Sequence, residues 1–366
     1  MKMQGEESGT SSQARNIPRN VEIAYTNHHQ KIISPRHLSG LVSIFMDVKE
    51  NVLSIIGNTP IVKIHELTTG LEASVLAKLE YLNPSGSIKD RIALEMIENA
   101  EAAGVLRSGS IIVDASTGNT GIALSFVGAQ KGYKVKIFET MPGKMTLERV
   151  KIMEAYGAEV KVIDLSGGKT KAEESVDGAE VELPGRKMAR DLERSDPSVW
   201  WARQFDNPSN VSAHNKTGRE ILRQTGGRVS AFVAAIGTGG TLMGISQVLK
   251  EANPEARIVG VQPASSKIPV VPGKPYPRSE ISGGIISNMI DANLVDKVVK
   301  VTDEEAVGMT HRLWREEGLF AGTSSGANVL VAINEAREMG KDDVVVTVLP
   351  DSADRYVYRG EQHFVT

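Results

Sequence analysis

Short apolar runs alternate with helical stretches along the chain from about Leu41 onward. Eight runs are apolar with few polar breaks, as expected for strands that are covered on both faces of a sheet. Between them lie helical patterns, and in TLERVKIMEAYG the residues Leu147, Val150 and Met153 recur at three-residue spacing before Gly157 ends the helix. The alternation predicts an α/β fold with mostly parallel sheets. The predicted strands are SVLAKLEYL, SIIVDAS, KVKIFET, EVKVID, SAFVAAIG, ARIVGVQPA, DKVVKV and DVVVTVLP.

Composition narrows the class of protein. A chain of 366 residues with 40% hydrophobic and 24% charged residues can bury a substantial core, and we expect two lobes. The net charge of -3 gives no electrostatic reason to expect nucleic acid or membrane as a partner, so small molecules are the expected partners. The sequence contains no cysteine, which excludes disulfides, thiolate metal sites and a cysteine nucleophile, and we expect a cytoplasmic location.

Two further classes of site have little support. No apolar run approaches the roughly 20 residues that a membrane-spanning helix needs. The adjacent histidines His28 and His29 lie in a polar tail without a third ligand nearby, so we expect no metal site.

Three small-residue turns each follow a predicted strand, where an α/β sheet binds its ligands. In DASTGNTGIAL, the loop Ser116–Thr120 brings hydroxyls, an amide and backbone N–H groups to one helix start, which suits a carboxylate, although Ser116 or Thr117 could equally be a helix cap. In FAGTSSGANVLVA, Ser324 and Ser325 are either helix caps or ligand-binding hydroxyls.

The glycine-rich turn is GTGGT, residues 237–241, and it precedes another predicted helix. Glycines let the backbone approach an anion and the helix N-terminus favours negative charge, so phosphate is the expected guest. It is not the dinucleotide motif, because Leu242 stands where that motif needs its last glycine. A tight strand–helix connection without a ligand is the alternative.

Lys89 in NPSGSIKDR stands at a predicted helix start, where the helix dipole disfavours a positive charge. Together with the three loops it describes one cavity containing an amine, a phosphate cradle, a carboxylate cradle and a hydroxyl. Pyridoxal phosphate needs that combination, with lysine as the Schiff-base partner and a separate group facing the pyridine nitrogen.

An ordered set of motifs from about Asn51 to Tyr356 carries a family resemblance. The chain resembles the cysteine synthase and cystathionine β-synthase group of fold type II pyridoxal-phosphate enzymes, and within it the cysteine synthase branch. The resemblance implies two domains, each a mostly parallel twisted sheet flanked by helices, as in tryptophan synthase β chains. The motifs are GNTPIVKI, EYLNPSGSIKDR, STGNTGIAL, ERVKIMEAYGAEV, QFDNPSN, GTGGTLMG, GTSSG and PDSADRY.

The resemblance also implies a role for each site residue. Lys89 forms the internal aldimine with pyridoxal 5'-phosphate and acts as general base, Asn119 binds the ring hydroxyl, and Ser324 faces the pyridine nitrogen. The cofactor phosphate is bound by Gly237, Thr238, Gly239, Gly240 and Thr241. The substrate, chiefly through its α-carboxylate, is bound by Ser116, Thr117, Gly118, Asn119, Thr120 and Gln204.

The implied reaction is β-replacement, in which O-acetylserine and sulfide give L-cysteine through an α-aminoacrylate. A serine hydroxyl cannot keep the pyridine nitrogen protonated, so loss of a β-leaving group should win over racemisation or transamination. Two half-reactions imply ping-pong kinetics. The resemblance further implies a homodimer with a site in each subunit.

The expected domain organisation has three parts. Residues 1–40 form a polar, disordered tail. Residues 41–200 form mainly a smaller, mobile domain with the substrate carboxylate loop, except that the first strands, at about 55–82, join the larger domain. Residues 201–366 form that larger domain, with the phosphate loop and Ser324.

Several alternatives stay open. The carboxylate loop reads STGNT where the group usually has TSGNT, and STGNT resembles the loop of threonine synthases. The later segment SGGIISNMID departs from the usual cysteine synthase segment, which leaves the leaving group undetermined. O-phosphoserine would be the donor if Lys267, Lys274 or Arg278 points inward and binds a phosphate leaving group. Cysteine synthase ranks first, O-phosphoserine sulfhydrylase second and cystathionine synthesis third. A catalytically silent scaffold protein is the alternative outside the enzymes. The sulfur source, the role of the tail and any regulatory complex are not determined by the sequence.

Overall fold

A computed structural model describes residues 48–116, 118–141, 147–164, 182–266, 270–274 and 289–357. The expected tail, residues 1–40, lies outside the described residues. Ten strands occur in the described part of the chain, and all eight predicted ones are among them. The strands are β1 Ile61–Lys63, β2 Ser74–Leu79, β3 Ile111–Ala115, β4 Lys134–Met141, β5 Glu159–Asp164, β6 Val199–Trp201, β7 Ala231–Ala235, β8 Arg257–Pro263, β9 Lys297–Val301 and β10 Val344–Leu349.

Helices connect most of these strands. The predicted helix around Val150 and Met153 is confirmed, and Gly157 follows it with a φ of 87°, in the left-handed region that favours glycine. Short 3-10 turns lie at Val52–Ile55, Glu66–Thr68, Glu80–Leu82 and Ala292–Leu294, and a π turn at Leu313–Glu317. The α-helices are α1 Lys89–Ala102, α2 Asn119–Gln130, α3 Leu147–Ala155, α4 Leu183–Ser195, α5 Ser209–Thr225, α6 Gly240–Ala252, α7 Asp303–Arg312, α8 Thr323–Ala336 and α9 Asp354–Val357.

The strands form two sheets, which confirms the predicted α/β class. One sheet has six strands in the order β1-β2-β10-β7-β8-β9, and only the β1–β2 pair is antiparallel. The other has four parallel strands in the order β5-β4-β3-β6. The early strands β1 and β2 therefore lie in the same sheet as β7 and β10, while the expected domain bounds stay a prediction.

The central strands of both sheets are buried on both faces, which explains why they are mostly apolar. The edge strands β5 and β9 are partly exposed and carry lysines. Along β7, Ala231 and Val233 belong to the apolar core on one side, and Phe232 and Ala234 to the core on the other. Two of the three predicted turns, STGNT after β3 and GTGGT after β7, leave from the carboxyl ends of parallel strands, where ligands of α/β proteins bind. The expectation that the third turn, GTSSG, follows a strand is wrong, because α7 and the π turn lie between β9 and that turn.

A buried network of four charges joins β2, α1 and α5. Arg91 donates from Nε to Glu80 at 2.6 Å and from Nη1 to Glu220 at 2.7 Å, and Lys78 Nζ lies 2.9 Å from Glu220. Burial opposes the charge on Glu220, but its hydrogen bonds with Arg91 and Lys78 lower its pKa to about 2. Thr59 adds a hydroxyl donor to Glu80 at 2.7 Å. The network contains two positive and two negative groups, so its charges balance.

Substitution of Arg91 tests this network. Arg91→Met should lower the free energy of unfolding by about 3–5 kcal/mol, because the remaining side chains are left with an uncompensated buried charge. Urea denaturation followed by circular dichroism measures the change. The matched control is Arg337→Met, since Arg337 is exposed and bonds only Asn334 in the described structure, and it should change stability by at most about 0.5 kcal/mol. A similar small loss for both variants would contradict the assigned role.

Candidate active site

Hydrogen bonds within the loop before Lys89, and from that loop to Gly57 and Pro350, fix its conformation. Ser85 donates from its backbone N–H to the Asp90 carboxylate at 2.7 Å, and its hydroxyl donates to the same carboxylate. Asn83 accepts from the Gly57 N–H at 2.8 Å, and the Ile88 N–H donates to the Pro350 carbonyl at 2.7 Å. Helix α1 then begins at Lys89, with its position fixed at both ends of the loop.

The amine of Lys89 is buried beside two carboxylates. Burial lowers its pKa below the ordinary lysine value, although the nearby carboxylates of Asp351 and Glu182 oppose that shift. A lysine with a lowered pKa is more often neutral near pH 7, and only the neutral amine is a nucleophile or a base. The sequence singled out Lys89 because a positive charge is unfavourable at a helix start, and the structure places it at the first residue of α1, while its catalytic role stays a prediction.

One cavity brings together residues from all three predicted loops. The empty space in and around it amounts to about 540 Å³, a volume that includes open solvent at its mouth. Lys89 carries the only positive charge among the described residues that line it. Seven of the lining residues are predicted site residues, namely Lys89, Asn119, Gly237, Thr238, Gly239, Thr241 and Ser324; the others are Ile88, Ala235, Asn328, Val348, Pro350 and Asp351.

The GTGGT turn forms a neutral cradle at a helix N-terminus. Gly239 has a φ of 84°, in the left-handed region, and α6 begins at Gly240, so unpaired backbone N–H groups lie at this end of the cavity. A Cβ on Gly240 would lie 1.9 Å from Asn210 Oδ1, so only glycine fits there. Asn210 in turn donates to the Thr238 hydroxyl at 3.1 Å. The turn can bind a phosphate through neutral donors and the helix dipole.

His214 supports this cradle from behind, and the sequence gave no signal for it. Its Nε2 lies 3.1 Å from the Thr241 hydroxyl and its Nδ1 lies 3.3 Å from Thr217. Complete burial lowers its pKa well below the ordinary histidine value, and the positive charges of Lys89 and Arg91 act in the same direction. The imidazole is therefore neutral and bonds Thr241 without adding charge to the cradle.

The STGNT loop approaches the cavity through Asn119. The other described members of that loop do not line the cavity. Ser116 accepts from the N–H groups of Gly118 and Gly121, at 3.2 and 3.0 Å, so its hydroxyl serves as a helix cap here, which was the alternative considered for it. Thr120 donates to Gln204 Oε1 at 2.6 Å. Thr117 lies outside the described residues.

Gln204 and Thr120 come together as predicted, but the amide of Gln204 is engaged by the protein. Its Nε2 donates to the Ala115 carbonyl at 3.1 Å and faces a Glu182 carboxylate oxygen at 3.5 Å. Beside them, burial raises the pKa of Asp114 to about 7, although a hydrogen bond from Trp201 at 2.8 Å opposes the shift. Substrate binding by Gln204, Ser116 and Thr120 stays a prediction.

The remaining candidates are placed only in part. Ser324 is buried in the first turn of α8 and lines the cavity, as a group facing a bound ring must. Asn328 also lines it, and its buried Oδ1 has no hydrogen-bond partner within the described structure, while Nδ2 donates to the Val348 carbonyl at 2.9 Å. Lys274 is exposed, whereas Lys267 and Arg278 lie outside the described residues.

The residues present fit pyridoxal phosphate. A lysine with a lowered pKa, a glycine-rich turn at a helix N-terminus and a buried hydroxyl line one cavity. The buried Oδ1 of Asn328, which has no partner in the described structure, leaves a polar contact to be made by a ligand or water. Within the described residues, no cluster of histidine, aspartate and glutamate has the arrangement of a metal site, and no helix has the length and apolar character needed to cross a membrane.

Comparison with known proteins defines the class. Residues 52–351 match the family described as "Pyridoxal-phosphate dependent enzyme", and the chain belongs to that family. It is an enzyme of fold type II, its cofactor is pyridoxal 5'-phosphate, and the resemblance inferred from the motifs is confirmed at the level of the family.

Particular relatives point to one branch. The chain is 42% identical to a cysteine synthase of Staphylococcus aureus over 313 residues, which are 84% of this chain and 95% of the relative. A solved cysteine synthase (OASS) from Entamoeba histolytica is 31% identical with a TM-score of 0.74, covering 91% of this chain and 93% of that one. A solved O-acetylserine dependent cystathionine β-synthase from Helicobacter pylori is 32% identical with a TM-score of 0.72, covering 86% and 99%.

The close approach at Gly240 gives a test of the phosphate cradle. Gly240→Ala should weaken pyridoxal phosphate binding by about tenfold or more, because the added methyl group must displace Asn210 from Thr238. Titration of the apoprotein with the cofactor, followed by visible absorption, measures the affinity.

The matched control is Gly308→Ala, an exposed helical position where a Cβ meets open space. This variant should bind the cofactor normally and gain up to about 1 kcal/mol of stability from the better helix former. Equal cofactor affinity in the two variants would show that Asn210 and Gly240 do not shape the cradle.

Proposed function

We propose that the chain is a cysteine synthase, an O-acetylserine sulfhydrylase that makes L-cysteine from O-acetyl-L-serine and sulfide by β-replacement. The observation that carries the proposal is the single cavity lined by Lys89, Asn119, the GTGGT turn and Ser324. The identity of 42% to a cysteine synthase over most of both chains supports the branch.

The side chains divide the work as follows. When bound, pyridoxal phosphate supplies a carbonyl that condenses with amines and a ring that accepts electrons. Lys89 holds the cofactor and, once the substrate amine takes its place, removes the α-proton, for which its lowered pKa suits it. Ser324 presents a neutral hydroxyl to the pyridine nitrogen. Electron withdrawal then stays weak, which favours loss of a β-leaving group over other fates of the α-carbon.

The charge of the cavity supports O-acetylserine over O-phosphoserine as donor. A buried phosphate leaving group needs a charge-assisted partner. Among the described lining residues Lys89 is the only cation, and it is already assigned to the cofactor and the α-proton. Lys274, one of the three candidates for binding such a phosphate, is exposed.

Cystathionine formation from O-acetylserine is the second candidate. The similarity to an O-acetylserine dependent cystathionine β-synthase, with a TM-score of 0.72, favours it, because the donor would be the same and only the nucleophile would differ. Homocysteine would then replace sulfide.

Product analysis with matched donors and nucleophiles tests both candidates. The purified holoenzyme should form cysteine from O-acetylserine and sulfide, and O-phosphoserine should give at least tenfold less product. Lys89→Ala should lower the rate by at least about a thousandfold, since it removes both the cofactor's anchor and the base. Lys341→Ala, at an exposed lysine, should leave the rate unchanged.

The outcomes separate the candidates. Faster turnover with homocysteine than with sulfide would replace the first candidate by the second. A better rate with O-phosphoserine would overturn the choice of donor. A cofactor-loaded enzyme that releases no product from either donor would contradict both candidates and support a silent scaffold.

We also propose that the enzyme is a homodimer in the cytoplasm with an active site in each subunit. The family resemblance supports the dimer. Sedimentation equilibrium at micromolar concentration should give twice the chain mass of 39.4 kDa. A value equal to one chain mass would contradict the dimer without affecting the proposed reaction.

A further inference from the structure

The amide of Asn119 is bonded on both sides by one short segment, residues 350–356, which follows β10. Asn119 Nδ2 donates to Asp351 Oδ2 at 2.7 Å, and the Arg355 guanidinium donates to Asn119 Oδ1. A carboxylate only accepts hydrogen bonds and a guanidinium only donates them, so the amide has a single orientation. One Nδ2 hydrogen binds Asp351, and the second is available to a ligand in the cavity that Asn119 and Asp351 both line.

Asp351 is itself held in place by several contacts. Its carboxylate is buried and accepts from the Tyr356 hydroxyl, and its carbonyl accepts from the Gly322 N–H at 2.9 Å. A Cβ on Gly322 would lie 2.3 Å from Asp351 Oδ1, so glycine at that position leaves room for the carboxylate. The third loop therefore contacts Asp351 directly.

Arg355 connects Asn119 to the loop that precedes Lys89. Besides Asn119, the guanidinium donates to the Ser85 carbonyl, and the Ser352 N–H donates to the Gly86 carbonyl at 3.2 Å. Residues 350–356 thus contact the Lys89 loop, Asn119 and the third loop at once. A segment with these contacts can fix the relative positions of groups that bind different parts of one ligand.

We propose that Asp351 and Arg355 are positioning residues that fix the amide of Asn119, so that its second Nδ2 hydrogen points at the ring hydroxyl oxygen of pyridoxal phosphate. The inference rests on the proposed function. It adds two residues to the site, neither of which needs to touch the cofactor. Without them the amide can rotate by half a turn and present its oxygen, which repels an oxygen acceptor.

A different role for Asp351 makes a different prediction. Its negative charge lies close enough to Lys89 to favour the protonated amine. If that charge were its only contribution, loss of Asp351 would affect the cofactor independently of Asn119. A double-mutant cycle between the two residues separates the roles, because residues that act through each other are not additive.

The experiment measures the dissociation constant of pyridoxal phosphate for the apoprotein by visible absorption, with circular dichroism and thermal melting to check the fold. Asp351→Asn, Asn119→Ala and Arg355→Lys should each weaken binding by about tenfold, the typical effect of losing a hydrogen bond to a charged group. Each double variant, Asn119→Ala with Asp351→Asn or with Arg355→Lys, should bind as weakly as Asn119→Ala alone. Asp354→Asn, an exposed change of the same type in the same segment, should bind within twofold of the wild type.

Three results would overturn the inference: unchanged affinity in Asp351→Asn, a hundredfold loss in the double variant with Asn119→Ala, or a loss in Asp354→Asn equal to that in Asp351→Asn. If Asp351→Asn does not fold, the cycle with Arg355→Lys decides by the same criteria. Wild-type protein that binds no cofactor overturns the proposed function itself. Wild-type protein that binds the cofactor and makes cysteine, with a normal Asp351→Asn variant, overturns only the positioning role.

Discussion

The balanced set of four buried charges around Arg91 is the constraint on which the rest of the site depends. Arg91 lies two residues after Lys89, so its bonds to Glu80 and Glu220 fix the first turn of α1 against β2 and α5. A buried charge that loses its partner is strongly destabilising, so a shift of α1 that breaks these ion pairs costs free energy. The network therefore determines where α1 lies. An apolar cluster of equal volume could stabilise the fold as well, but it would allow small shifts of α1 that move the amine. Here the interior sets where the reactive nitrogen lies.

Around that fixed point, the cavity is assembled from strand ends. The loops after β7 and β10 leave one edge of the six-stranded sheet, because parallel strands bring their carboxyl ends to the same edge. The loop after β3 comes from the other sheet and reaches the same cavity through Asn119. The phosphate end uses backbone N–H groups, threonine hydroxyls and a neutral His214, so its attraction for an anion comes from oriented dipoles. Among the described lining residues no second cation stands beside Lys89, so phosphate binding by the turn does not depend on a charged side chain there.

Much of this arrangement could be predicted from the sequence. Continuous apolar runs identified eight strands, and glycine, serine and threonine after two of them identified the STGNT and GTGGT loops. The GTSSG turn was identified by its small residues although it follows a helix and a π turn. The strands β1 and β6 were missed because three residues are too few to show a pattern. Asp351, Arg355 and Glu182 were missed as individual residues because their partners lie far away in sequence, and only the folded chain selects them. The same holds for the amide of Gln204, because its acceptor, the Ala115 carbonyl, is far away in sequence and is brought near only by folding.

The sheet order has a consequence for how the protein is made. β10 lies between β2 and β7, although it is the last of the described strands to be synthesised. Until it leaves the ribosome, β1 and β2 have no strand pairing with β7, β8 and β9, and the Lys89 loop has no Pro350 carbonyl to bond. A nascent chain therefore has both the amine and the phosphate turn long before it has a cavity between them. A chain interrupted before β10 lacks the cavity wall that Val348, Pro350 and Asp351 form.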